Sequence, residues 1–192
     1  MACNKGAASD RNHPRSQNLA KAWFDQGAVL ANLSRYKEAL AAYDKALEIK
    51  PNYAEAWIDK GDVYNSLARY EEALTAFDKA IEISPNNAEA WCNKAITLAS
   101  LSRHEEALTV FDKAIDIKSD YDIAWYNKGT SLASLSRYEE ARFAFEKVLE
   151  IRPDCFSDEL QLRRGLRLKI FFRKGKVILH HLKKLGAAFH II

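Results

Sequence analysis

Four tryptophans, Trp23, Trp57, Trp91 and Trp125, stand 34 residues apart, and the 192-residue chain has no others. A fixed period of this size means stacked supersecondary units, none of which can bury its apolar face alone. Other columns keep the same step: Gly27, Gly61, Ala95 and Gly129; Tyr36, Tyr70, His104 and Tyr138; Ala39, Ala73, Ala107 and Ala141; Tyr43, Phe77, Phe111 and Phe145. Pro51, Pro85, Ser119 and Pro153 close the units. The repeats therefore run 20–53, 54–87, 88–121 and 122–155. The second and third agree at 19 of 34 positions, so whole units repeat and not the tryptophans alone.

Each unit reads as two helices. In the second repeat, Trp57, Gly61 and Tyr64 are spaced for one helix, and Ala73, Phe77, Ala80 and Ile81 for another, which Pro85 ends. Small residues at positions 8 and 20 of the unit allow close helix approach, while aromatics at positions 4, 17 and 24 fill the gaps between units. A chain that is 48% hydrophobic and 29% charged can bury a core and stay solvated. Its 7 Gly and 4 Pro argue against a loop-rich or β-rich fold. No apolar run approaches a membrane span, and residues 1–17 lack the apolar core of a secretory signal. Cys3, Cys92 and Cys155 are odd in number and far apart, which fits no disulfide framework or CxxC metal pair; a cytoplasmic location is expected.

The columns Trp57, Gly61, Tyr64, Ala73, Phe77, Ala80 and Pro85, with their counterparts, resemble the tetratricopeptide repeat (TPR) family over 136 residues. The third repeat departs furthest, with Ala95, His104 and Ser119 in place of Gly, Tyr and Pro. The fourth has Arg142 where the others have Leu, and Val148 where they have Ala, so its outer face is expected to meet something different. The resemblance implies an all-α fold: a right-handed α-solenoid of four helix-turn-helix repeats, with a flexible segment before it (1–19) and a helical extension after it (156–192).

Positions 2, 5, 9 and 12 of the unit vary freely and share one stripe of the first helix. In the TPR family that stripe lines a concave groove that holds a peptide. Carried over, the groove comprises Lys21, Phe24, Ala28 and Ala31; Glu55, Ile58, Asp62 and Asn65, with Asp59 beside them; Glu89, Cys92, Ile96 and Ala99, with Asn93; and Ile123, Tyr126, Thr130 and Ala133, with Asn127. Its acidic middle and apolar anchors suit a protein or peptide partner with basic and apolar side chains. Some TPR domains clamp acidic chaperone tails with Lys, Asn and Arg. The corresponding positions here are Phe24, Ala28, Glu89 and Asn93, which form no basic clamp.

Charge is unevenly spread. Residues 20–155 carry −6 and residues 156–192 carry +7. The basic segment breaks the repeat, and two helices are expected in it, from about residue 157 to Phe172 and from Val177 to Ala188. Four roles remain open for it: capping the array, docking on a membrane, nucleic acid or acidic protein, entering the groove of the same or another molecule, or none. Open array ends and exposed apolar residues in this segment make self-association an expectation.

The sequence carries no HExxH, Walker A, GxSxG or GxGxxG motif. His104 occupies a scaffold column, and the adjacent His180 and His181 would diverge on a helix. Cys92 has no base beside it in the repeat pattern. The Glu pairs at 71–72, 105–106 and 139–140 recur at helix starts, where they suit the helix dipole. The chain is therefore read as non-enzymatic, without catalytic residues, metal or cofactor, and as a scaffold for protein partners. The alternative is an adaptor that docks through its basic segment, with the repeats as platform.

Overall fold

The computed structural model describes residues 14–152. Within them the secondary structure is eight helices with no strand: α1 (Pro14–Asn32), α2 (Tyr36–Ile49), α3 (Ala54–Ser66), α4 (Tyr70–Ile83), α5 (Ala88–Ser100), α6 (His104–Ile117), α7 (Asp122–Ser134) and α8 (Tyr138–Ile151). They fall into two units, one ending at Ser119 and the other beginning at Asp120. The first holds the helix pairs α1/α2, α3/α4 and α5/α6. The second holds α7/α8.

The repeat columns explain the pairing. Gly61 of α3 lies against the Phe77 ring of α4, and Gly27 and Gly129 lie likewise against Tyr43 and Phe145. Ala39, Ala73, Ala107 and Ala141 are fully buried where the paired helices cross. In the first unit, α2 packs on α3 through Leu40, Ala42, Tyr43 and Val63, with Leu67 partly buried against them. Lys60 reaches back to Asp44 at 2.5 Å and Lys94 to Asp78 at 2.6 Å, which ties each repeat to the one before. The indoles of Trp57 and Trp91 donate to the carbonyls of Pro51 and Pro85 at 3.0 and 2.8 Å.

The turn inside each pair places Ser34, Ala68, Ser102 or Ser136 in the left-handed region. Arg35, Arg69, Arg103 and Arg137 follow and hold Glu38, Glu72, Glu106 and Glu140 three residues on. The second glutamate of each Glu pair is thus an arginine partner. α6 ends at Ile117 although Ser119 replaces proline, at the same unit position as α4. In the scaffold column, the buried Nδ1 of His104 has no hydrogen-bond partner.

The first helix differs from expectation. Residues 14–19 belong to α1 and not to a flexible leader. Pro14 suits the first turn because its missing N–H would be unpaired there anyway. The two helices expected in 156–192 lie outside the described residues. Among the described residues, no helix is long and apolar enough to cross a membrane.

Candidate peptide-binding groove

The first unit presents the first helices α1, α3 and α5 side by side. Two cross-helix links fix α3 against α5. The Asn93 amide donates to Asp62 Oδ1 at 3.0 Å, and Asn65 Nδ2 lies 2.9 Å from the hydroxyl of the fully buried Thr97. Tyr43, from α2, donates its hydroxyl to Asp59 Oδ2 at 3.3 Å.

These links gather Asp59, Asp62 and Glu89 within electrostatic reach of one another, and Glu55 lies within reach of Asp59. Among the described residues, none of the four is in an ion pair. The effect on titration follows. Burial, then the charges of Glu89 and Glu55, raise the Asp59 carboxyl above its ordinary value, against the opposing Tyr43 hydrogen bond. At Asp62 the surrounding helices strip part of the solvation, and Asp59 and Glu89 add like charge. Its carboxyl is pushed up to about 7, although its side chain still meets solvent. Burial and Asp59 also raise the Tyr43 phenol.

Beside the carboxylates lies an aromatic shelf. The Phe24 ring is 5.0 Å from that of Tyr53 and 6.0 Å from that of Tyr43. Lys50 sits 4.2 Å over Tyr53. Lys21, the one basic residue expected in the groove, is tied to Asp25 at 2.8 Å and leaves the cluster uncompensated.

The burial pattern corrects two expected lining residues. Ile58 is 3% exposed and Cys92 is fully buried, so both belong to the core. Ile58 packs against Phe77 and Ala80 of its own repeat and Ala90 of the next. Phe24, at the same position of the outer repeat, stays half-buried. Lys21, Glu55, Asp62 and Glu89 are exposed, and Ala28, Ala31, Asp59, Asn65, Asn93, Ile96 and Ala99 are partly so.

In the second unit, Ile123 and Thr130 are exposed, and Tyr126 and Asn127 partly so. Tyr126 stands edge-on to Phe145 at 5.8 Å. Asn127 and Thr130 bond back to the carbonyls of Ile123 and Tyr126, at 2.8 and 3.1 Å. The sequence reading missed Tyr43, Tyr53 and Thr97. Tyr43 had a signal: it is the only hydroxyl in its aromatic column. No group of His, Cys, Asp or Glu among the described residues could hold a metal ion.

Models described as tetratricopeptide repeat match residues 20–53, 42–75, 88–121 and 123–155, and one described as TPR repeat matches 61–102. Curated protein sequences give no match. Among solved structures, MamA 41-end from Desulfovibrio magneticus RS-1 is 24% identical at a TM-score of 0.65, with 70% of this chain and 76% of that chain covered. A second MamA crystal structure is 20% identical at 0.65, with 91% and 98% covered. The first TPR of Spaghetti (RPAP3), bound to the HSP90 peptide SRMEEVD, is 16% identical at 0.60, with 62% and 95% covered.

Proposed function

The chain belongs to the tetratricopeptide repeat family, and from that premise we propose that it is a non-enzymatic scaffold whose first-helix face takes a basic segment of a partner protein. The observation that carries this reading is the carboxylate group Glu55, Asp59, Asp62 and Glu89, which has no cation of its own among the described residues. Four like charges on one face are unfavourable until a cation arrives. A lysine or arginine from an extended peptide supplies it, and the Phe24–Tyr53 shelf offers an apolar neighbour a seat.

The same chemistry argues against an acidic ligand. The peptide SRMEEVD bound by the RPAP3 repeat carries its charge in Glu, Glu and Asp. Against Asp59, Asp62 and Glu89 such a tail meets repulsion.

Calorimetric titration of the full chain tests this with three peptides of one length: Lys/Arg with apolar residues, uncharged, and Glu/Asp-rich. The basic peptide is expected to bind best, with affinity that falls as salt rises and falls again in Asp59→Asn/Asp62→Asn. Equal or tighter binding of the acidic peptide would overturn the reading, as would a basic peptide indifferent to both substitutions.

A further inference from the structure

The outer face of α1 carries an exposed apolar stripe that the scaffold function does not use. Leu19, Val29 and Leu33 are 51%, 58% and 62% exposed. With Ala22 and Gln26, also exposed, they follow one another at steps of 3, 4, 3 and 4 along one side of the helix. The inner repeats show what this register is for. Ala22, Val29 and Leu33 correspond to Ala56, Val63 and Leu67 of α3. There Ala56 is fully buried, Val63 is 3% exposed, and α2 covers the face. The α1 face is thus an inter-repeat interface without its covering helix among the described residues.

Three segments of the chain are weighed as its cover. Residues 1–13 contain no Leu, Ile, Val, Phe, Tyr or Trp, so they cannot supply an apolar helix face. α8 of another copy, stacked head to tail, would have to repeat the match that α2 makes with α3. That match joins Leu40 to the valine and Asp44 to a lysine. α8 has Arg142 and Glu146 at those positions, already bonded to each other at 2.6 Å, and α1 has Gln26 in place of lysine. The segment 156–192 carries +7, and α1, with Arg15, Lys21 and Asp25, offers it no negative face.

We propose that α1 pairs with α1 of a second copy, in an isologous dimer built on Leu19, Ala22, Gln26, Val29 and Leu33. The stripe is self-complementary, because antiparallel pairing about its centre sets Leu19 against Leu33, small Ala22 against branched Val29, and Gln26 against its own counterpart. At 19 residues α1 is about 28 Å long. Its extra turn, residues 14–19, lengthens the stripe beyond what one repeat supplies. A single central glutamine limits the partners such a seam accepts. The pair leaves the carboxylate groove out of the contact, so the dimer presents two grooves.

The test is sedimentation equilibrium of the full chain from micromolar to near-millimolar concentration. The mass should rise from 21.8 kDa towards twice that value. Val29→Glu/Leu33→Glu should stay monomeric, with unchanged circular dichroism and melting, since both residues are exposed. A photo-crosslinking residue at Gln26 should join residues 14–33 of the other copy. A wild-type monomer throughout would overturn the proposal. So would a dimer that survives the double substitution, or crosslinks from residue 26 to 153–192 or to α8.

Discussion

Phe77 lies so close to Gly61 that a Cβ on the glycine would stand 2.6 Å from Cε1 of the ring. The same relation holds for Gly27 and Tyr43 at 2.6 Å, and for Gly129 and Phe145 at 2.8 Å. The glycine therefore sets how near α3 and α4 come together. Repeat three carries Ala95 in this column, fully buried, so a pair can be built around a methyl when its surroundings are shaped for it. Gly61→Ala forces a ring that is itself fully buried to move. Overpacking costs typically 1–3 kcal/mol, against about 1 kcal/mol gained in helix propensity. A net loss of up to about 2 kcal/mol is expected in urea unfolding followed by tryptophan fluorescence. An unchanged midpoint would show that the ring is not confined.

Ala68 bridges α3 and α4 at φ 56, the conformation shared by Ser34, Ser102 and Ser136. Its Cβ makes that conformation unfavourable by about 1–2 kcal/mol, and alanine has no polar group to compensate. Ala68→Gly removes the strain but adds freedom to the unfolded chain. The balance is a gain of about 0.5–1 kcal/mol, read as a higher melting temperature. A lower one would mean that the methyl packs usefully against its neighbours.

The helices were legible because each scaffold column recurs four times. Trp, Gly, Ala and the aromatic at position 24 state the period, the crossing point and the filling of each pair. Depth was not legible. Helical spacing puts Phe24, Ile58, Cys92 and Tyr126 on one stripe, but it does not say how far neighbouring units close over that stripe. In the first unit Ile58 and Cys92 are covered and Phe24 is not. The start of α1 escaped for a similar reason: residues 14–19 precede the first tryptophan and share no column with a repeat.

That difference in depth separates two substitutions that looked equivalent in the sequence. Ile58→Ala removes a buried side chain packed against Phe77 and Ala80. It should cost about 2–4 kcal/mol of stability. The affinity of the still-folded molecule for a basic peptide should change little. Phe24→Ala opens the aromatic shelf and should do the reverse, with a small loss of stability and a clear loss of affinity. Chemical unfolding and calorimetry on both variants check this, and a binding defect confined to Ile58→Ala would refute the assignment.

Asp62 gives the groove a pH dependence whose sign can be worked out. Its folded carboxyl is pushed up to about 7 from the ordinary 3.8, chiefly by lost solvation and then by Asp59 and Glu89. Between those values the folded chain holds this proton more tightly than the unfolded chain does. The contribution of Asp62 to stability is therefore greatest below the lower value and falls as pH rises towards the upper. Glu38, Glu72, Glu106 and Glu140 titrate the opposite way, since their arginine partners lower them. The comparison must accordingly be wild type against Asp62→Asn. The difference in melting temperature should favour the variant increasingly from pH 4 to pH 8, by less than an enclosed carboxyl would give because Asp62 meets solvent. A bound lysine or arginine lowers the Asp62 carboxyl again, so peptide binding near pH 6 should release protons. Calorimetry in two buffers of different ionisation enthalpy measures that release directly. Its absence, with a flat difference between wild type and Asp62→Asn, would remove Asp62 from the binding face.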